Sequence, residues 1–278
     1  PYPIGELAYL AVGRGRRLVI TYHSDIVRQR SLLRVYAPFL HCILQRADRI
    51  MPTNQRYLET SPFLRPVTDK CTVVALGIEL DRFASADPTR VEAIQQQYGQ
   101  PLLLFVGRLR YYKGLDYLIR AMPEIPARLL VIGTGPMARP WQALVAEMKL
   151  KDKVIFLGDI EDADLPAYYH ASAIFVLPSS QRSEAYGVSM LEGMAAGLPA
   201  VSTELGTGTS FVNLDGETGL VVPPTDPAAL ASAINRLLAD EDLRRRMGEA
   251  ARRRAWGEFS REAMVDRILA VYANVLGG

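Results

Sequence analysis

Two carboxylates eight positions apart, Glu184 and Glu192, flank a run of small and apolar residues in SEAYGVSMLEGMAAGLPAVST, 183–203. The pattern puts Glu184 in a loop, Gly187 near the mouth of a helix, and Glu192 further along that helix. A helix amino terminus presents unpaired N–H groups and partial positive charge, a natural seat for phosphate. A carboxylate can accept two hydrogen bonds from a vicinal diol, as does the acid that holds the ribose in dinucleotide folds. The two glutamates therefore fit hydroxyls on either side of a phosphate, Glu184 those of a sugar and Glu192 those of a ribose. Taken alone, the stretch is equally satisfied by a helix whose dipole Glu184 complements and on which Glu192 pairs with a cation.

Two cations stand in a comparable position upstream. In GRLRYYKG, 107–114, Arg108 and Lys113 emerge from a loop directly after the apolar run PLLLFV. An Arg fork and a mobile Lys charge suit a diphosphate, and in a closed cleft they would stabilise it as it leaves. As isolated residues they are also ordinary loop cations. GTGPMA, 133–138, fits G-x-G-x-x-A and starts at Gly133. Pro136 nevertheless removes an N–H from the would-be phosphate cradle, and no acid closes the next strand at the usual distance of about 20 residues. That turn reads as a tight strand-to-helix connection. His23, in YHSD, follows another apolar run. Adjacent Ser, His and Asp cannot converge on one substrate atom, and there is no G-x-S-x-G elbow.

Positioning such residues requires strands that end beside one another, and the chain supplies them. Short buried strands are predicted at 17–22, 49–52 and 71–75. A second series is predicted at 101–106, 128–132, 153–157, 173–177, 199–203 and 218–222. Helical patterns lie between the later strands, at about 114–122, 138–149, 163–171, 187–196 and 227–239. An earlier helix at 31–45 contains Pro38, a predicted kink or break. Continuously apolar strands alternating with helices predict parallel sheets covered on both faces, a doubly wound α/β architecture. In such sheets ligands bind beyond the carboxyl ends of the strands, where the charged loops fall.

The series break near 78–100, where the composition turns polar and helix-prone. The expected organisation is a partial first domain at 1–80, a linker at 81–99, a second domain at 100–256 and a last helix at 257–278. Within that last helix Met264, Ile268, Leu269, Val271, Tyr272 and Leu276 are offered for docking.

Composition narrows the classes. At 278 residues, 49% hydrophobic and 22% charged, the chain is an ordinary globular sequence with room for two domains. A net charge of +2 gives no global case for nucleic-acid binding. Eight arginines face three acids in residues 1–50, a local +5. That bias fits a phosphorylated acceptor or peripheral contact with an anionic membrane, and equally a solvated arginine-rich face. Two cysteines and three histidines, all scattered, form no disulfide framework or zinc spacing. No apolar run reaches the roughly 18 residues of a span and no signal peptide is apparent, so the expected location is cytoplasmic or peripheral at the inner face of the membrane.

Taken together, FVGRLRYYKGLDYLIRAM, LLVIGTGP, FLGDIEDADLPAYYHASAIFVLPSSQRSEAYGVSMLEGMAAGLPAVST and GETGLVVPPTDPAALASAI resemble successive blocks of the retaining GT-B nucleotide-sugar glycosyltransferases of family 4. The first 80 residues match more loosely, through HSDIVRQ, ADRIMPTN and VVALGIELDRF. The resemblance implies two Rossmann-like domains, the first incomplete here, with the acceptor bound by the first and the donor by the second, and with the last helix at 257–278 crossing back to the first. It implies that Arg108 and Lys113 hold the diphosphate and that Glu184 orients the donor sugar. It further implies that backbone N–H groups near Tyr186, Gly187 and Val188 touch sugar and phosphate, and that Glu192 binds the ribose. Gly133 is grouped with the donor-binding residues. His23 matches a histidine near the anomeric centre, and the loop from 158 to Asp162 is expected near the base. Tyr186 replaces the more common Phe.

The family's first strand and Gly-rich loop are not visible, so the amino terminus of a longer protein is expected before Pro1. The implied activity is transfer of a sugar from GDP-mannose or a UDP-sugar to a glycan or lipid-linked acceptor, with retention. It would proceed without metal or other cofactor, in cell-surface polysaccharide synthesis. HSDIVRQ and GTGTSFVN resemble members that build mannose-containing or O-antigen-like polysaccharides. Two rivals are a nucleotide-sugar epimerase of the same fold, which needs no acceptor, and a truncated binding module that does not turn over. A phosphorylase would need a pyridoxal lysine site, for which no candidate is present.

Overall fold

A computed structural model of the chain describes residues 3–13, 15–23 and 30–277. Its larger sheet has six parallel strands, β3 (Leu102–Val106), β4 (Arg128–Ile132), β5 (Val154–Gly158), β6 (Ile174–Leu177), β7 (Ala200–Thr203) and β8 (Gly219–Val222). They lie in the order β5-β4-β3-β6-β7-β8. Side chains alternate between two covered faces, which is why β3 and β6 read as unbroken apolar runs, whereas β7 ends in the buried Ser202 and Thr203. Leu103, Phe105, Leu129, Val131, Ile174 and Val176 enter one core, with Trp141, Ile119 and Ile234 from helices on that side. Leu102, Leu104, Leu130, Phe175 and Leu177 enter the other, with Tyr169, Met190 and Phe259. Each fully buried Leu, Ile or Phe contributes about 1.5–3 kcal/mol, so the two cores fix the strand ends firmly.

The smaller unit is a parallel pair, β1 (Val19–Tyr22) and β2 (Arg49–Pro52). The stretch expected as a third strand at 71–75 pairs with β2 only through an Ile50–Cys71 bridge and the bonds Thr72 N–H to Ile50 O and Val74 N–H to Pro52 O. The helix Arg30–Arg46 runs through Pro38 without a break. Leu40, Ile43 and Leu44 are buried beside Tyr22, Ile50 and Tyr57, and this packed face offsets the hydrogen bond that Pro38 cannot make.

Between the two units, a 3-10 turn at Asp81–Phe83 and a helix at Pro88–Tyr98 send Phe83 and Ile94 into the larger unit's core. The segment at 81–99 is thus anchored to the larger unit through these two side chains, beside the helix Leu165–Ala171. The chain returns at its end. Ile78 N–H donates to Phe259 O and Arg261 N–H to Ile78 O, 2.9 and 3.0 Å. In the helix Arg261–Gly277, Met264, Ile268 and Val271 then pack with Val19, Met51 and Val74 of the smaller unit. Leu269, Tyr272 and Leu276 of the same helix are exposed, because they fall on its adjacent face.

Candidate active site

Strand β3 is followed outward by β4 and β5, and the chain then returns to lay β6 on the other side of β3. The loops after β3 and β6 therefore diverge from neighbouring strand ends, the arrangement that opens a ligand crevice in doubly wound sheets. Lys113 closes a 3-10 turn on the first of these loops, Tyr111–Lys113, and Glu184 lies on the second. Ser180 N–H ties the loops together by donating to Tyr112 O, 2.8 Å.

Lys113 Nζ is 2.7 Å from Glu184 Oε2. The two residues are 8% and 7% exposed, so this is a charge pair largely withdrawn from water. Ser179 Oγ donates to the same carboxylate oxygen at 3.1 Å, and Thr207 Oγ1 donates to the Glu184 carbonyl at 2.8 Å. Glu184 is thus held by its side chain and by its backbone. Arg108, five residues before Lys113, is exposed, and its guanidinium makes no ion pair or hydrogen bond with any described residue.

The helix Val188–Ala195 starts immediately beyond Glu184, with Gly187 at φ 86°, ψ 55° as its cap and no capping side chain. That left-handed conformation favours glycine, and a Cβ there would approach Leu177 Cδ2 to 2.9 Å. The N–H groups of Val188 and Ser189 have no hydrogen-bond partner among the described residues, so the helix terminus is open for an anion. Tyr186 turns the other way. Its buried ring meets Phe259 edge-on and its hydroxyl donates to Leu76 O at 3.2 Å, leaving only its backbone near the loop.

Glu192 is mostly buried. Tyr169 Oη donates to its Oε2 at 2.7 Å, and Arg82 Nη2 stands 3.5 Å from its Oε1. Burial raises the Glu192 carboxyl above its ordinary value, while Tyr169 and Arg82 oppose that rise. Arg82 Nη1 also reaches Asp162 Oδ2, 3.4 Å, linking the segment after the smaller unit to the loop after β5.

Gly133 lies at the exit of β4. Its N–H donates to Gly158 O at 2.7 Å, while Met137 and Ala138 donate to Leu109 O and Gly135 O. The G-x-G-x-x-A turn thus spends these donors inside the protein. A Cβ at Gly133 would stand 2.2 Å from Gly107 O, so the glycine serves close packing of two loops. His23 is exposed at the end of β1, where it borders a groove of about 350 Å³ with Tyr9, Leu40 and Leu44. It makes no hydrogen bond or ion pair with the Lys113–Glu184 loops among the described residues. Ser24 and Asp25, the rest of YHSD, lie outside the described residues.

Sequence reasoning missed Arg82, Tyr169, Ser179 and Thr207. Arg82 lies in the stretch read as a linker. Tyr168 and Tyr169 are adjacent, and nothing in the sequence tells which one turns toward Glu192. Among the described residues no three His, Cys, Asp or Glu side chains converge as metal ligands, and no helix is long and apolar enough to cross a membrane.

A doubly wound parallel sheet with charged loops at its strand switch point, joined to a second α/β unit, defines the GT-B class of fold. The chain belongs to the group 1 glycosyltransferases: the family profile described as Glycosyl transferases group 1 matches residues 89–254. The chain is 39% identical to D-rhamnosyltransferase WbpZ of Pseudomonas aeruginosa over 254 residues, covering 91% of this chain and 66% of that protein. It is 35% identical to O-antigen chain mannosyltransferase C of Escherichia coli over 276 residues, covering 99% of this chain and 74% of that protein. The structure of sucrose-phosphate synthase from Thermosynechococcus elongatus superimposes with a TM-score of 0.82 at 28% identity, over 99% of this chain and 72% of that one. The chain thus spans about two thirds to three quarters of the length of these proteins.

Proposed function

We propose that the cleft between the β3 and β6 loops binds a nucleotide-diphosphate sugar and that the protein transfers the sugar to a glycan or lipid-linked acceptor with retention. The observation that carries this reading is the buried Lys113–Glu184 pair beside Arg108, which has no partner among the described residues, and an open helix terminus. On donor binding, Arg108, Lys113 and the N–H groups of Val188 and Ser189 take the diphosphate. Glu184 accepts from hydroxyls of the sugar, and Glu192 accepts from the ribose.

No carboxylate is assigned as nucleophile. The bond from the anomeric carbon to the leaving phosphate oxygen breaks, and the acceptor oxygen bonds on the same face. Its proton passes to a phosphate oxygen. Arg108 and Lys113 stabilise the charge that collects on the diphosphate, the work a divalent ion would otherwise do. His23 stands on the acceptor side near the anomeric centre, and the loop reaching Asp162 lies near the base.

Similarity to a D-rhamnosyltransferase and an O-antigen chain mannosyltransferase supports transfer of a rhamnosyl or mannosyl sugar and a role in cell-surface polysaccharide synthesis, with GDP-mannose or a UDP-sugar as the donor. The arginine-rich first 50 residues fit work at the inner face of an anionic membrane. A thermal-shift panel of nucleotide sugars on the full-length protein tests the reading. A selective rise with one GDP- or UDP-sugar is expected, followed by its consumption only when an acceptor glycan is present. No rise with any nucleotide sugar would overturn it, and conversion of the donor without acceptor would favour an epimerase.

A further inference from the structure

The turn at 204–208 has two sides, and each is fastened to something different. Its inner side holds the donor loop: Thr207 Oγ1 donates to Glu184 O at 2.8 Å and Gly208 N–H donates to Ala185 O at 2.9 Å. Its outer side meets the smaller unit at the helix Gln55–Thr60. Arg182, two residues before Glu184, donates from Nη1 to Gly206 O at 2.9 Å and Leu205 O at 3.2 Å, and from Nη2 to Thr60 Oγ1 at 3.3 Å. The Thr60 hydroxyl lies 2.7 Å from Arg56 O within its own helix and 3.3 Å from Gly206 O across the boundary.

The approach is close enough to exclude a methyl group. A Cβ at position 208 would fall 2.6 Å from Ala185 O, 2.7 Å from Tyr186 Cδ2 and 3.1 Å from Asn54 Nδ2. Asn54 belongs to the smaller unit, is fully buried, and caps the helix that carries Thr60 by accepting from Tyr57 N–H at 2.9 Å. Three segments therefore meet at one glycine: the cap of the first unit's helix, the turn, and the backbone that follows Glu184.

We infer that Thr60 and Arg182 are positioning residues which, through the 204–208 turn, let the smaller unit set the place of Glu184. The contacts of Lys113 and Ser179, both in the larger unit, fix the carboxylate. Thr207 and Gly208 fix its backbone, and their turn is braced against Thr60 and Arg182. This rests on Glu184 being the acid that holds the donor sugar. The consequence is that seating of the helix Gln55–Thr60 governs how the sugar is held while leaving the diphosphate contacts of Arg108 intact.

The test uses Thr60→Val, which removes the hydroxyl at nearly constant volume, Thr60→Ser, which restores it, and Arg182→Lys, which loses the two-pronged fork. Amide exchange at Gly208, whose N–H donates to Ala185 O, and at Glu184, whose N–H donates to Gln181 O, is expected to quicken by about tenfold in Thr60→Val and Arg182→Lys and to return toward wild type in Thr60→Ser, the scale of one lost hydrogen bond. In the full-length enzyme the same two variants should lower kcat by roughly tenfold with unchanged affinity for the nucleotide diphosphate. Wild-type exchange and wild-type kcat in both variants would overturn the inference. If wild type binds no nucleotide sugar, the transferase reading fails, and amide exchange alone still decides whether the turn transmits the contact.

Discussion

Lys113 and Glu184 reach each other from loops on adjacent strands, ammonium to carboxylate at 2.7 Å, with both side chains all but removed from solvent. Removing one partner from such a pair leaves an uncompensated buried charge, which costs more than losing the pair altogether. Lys113→Ala is therefore expected to destabilise the protein by about 3–5 kcal/mol, and the double change Lys113→Met with Glu184→Gln by less. Guanidinium unfolding of the three proteins checks this. A double variant no more stable than Lys113→Ala would show that the pair is not coupled.

Arg108 separates binding from stability. It is exposed and makes no hydrogen bond or ion pair with a described residue, so Arg108→Ala should leave unfolding within about 0.5 kcal/mol of wild type. Its affinity for a nucleotide diphosphate should fall roughly tenfold or more, the scale of a charge-assisted hydrogen bond. Calorimetric titration beside unfolding curves measures both. Undiminished affinity would remove Arg108 from the site.

Glu192 gives a dependence on pH with two opposite signs. Burial raises its carboxyl above the ordinary value against the pull of Tyr169 and Arg82, with Asp162 adding to the rise. The folded chain therefore holds this proton more tightly than the unfolded one. The associated stability is present below the ordinary carboxylate value and is lost as pH rises through the raised one. Nucleotide affinity should move the other way, because protonation removes the acceptor proposed for the ribose, so binding weakens as pH falls through the same window. Glu192→Gln should flatten both slopes. Thermal midpoints and titrations across the acidic range, wild type against variant, supply the comparison, and identical slopes in both proteins would contradict it.

Gly187 tests the helix terminus. Alanine at φ 86° adopts a left-handed conformation that costs about 1–2 kcal/mol, and its Cβ would press on Leu177. Gly187→Ala should lower the thermal midpoint and weaken diphosphate binding together, whereas Val188→Ala, at an exposed position, should do neither. A Gly187→Ala protein that binds as wild type does would separate the helix terminus from the phosphate.

The larger sheet was legible because strands buried on both faces leave continuous apolar runs, as at Leu102–Val106 and Ile174–Leu177, and helices between them keep their own period. The charged loops were legible because they directly follow those runs. Partnerships across loops were not. Nothing local to Glu184 announces Ser179 or Thr207, and nothing near Glu192 announces Arg82, since such contacts depend on how strands are ordered. The helix Pro3–Val12 also escaped notice, because its apolar residues are spread so that Ile4, Leu7 and Val12 remain exposed and leave no clean amphipathic stripe. In the last helix the apolar positions form two neighbouring stripes. Only the one containing Met264, Ile268 and Val271 meets the smaller unit, a choice fixed by the angle at which the helix crosses.

The central claim is that Glu184 holds the sugar of a donor whose diphosphate is held by other groups. The most direct measurement titrates wild type and Glu184→Gln with a nucleotide sugar and with the corresponding nucleotide diphosphate. The expected result is that wild type binds the nucleotide sugar more tightly, that this margin disappears in Glu184→Gln, and that affinity for the diphosphate alone is retained. An unchanged margin for the sugar in Glu184→Gln would contradict the account.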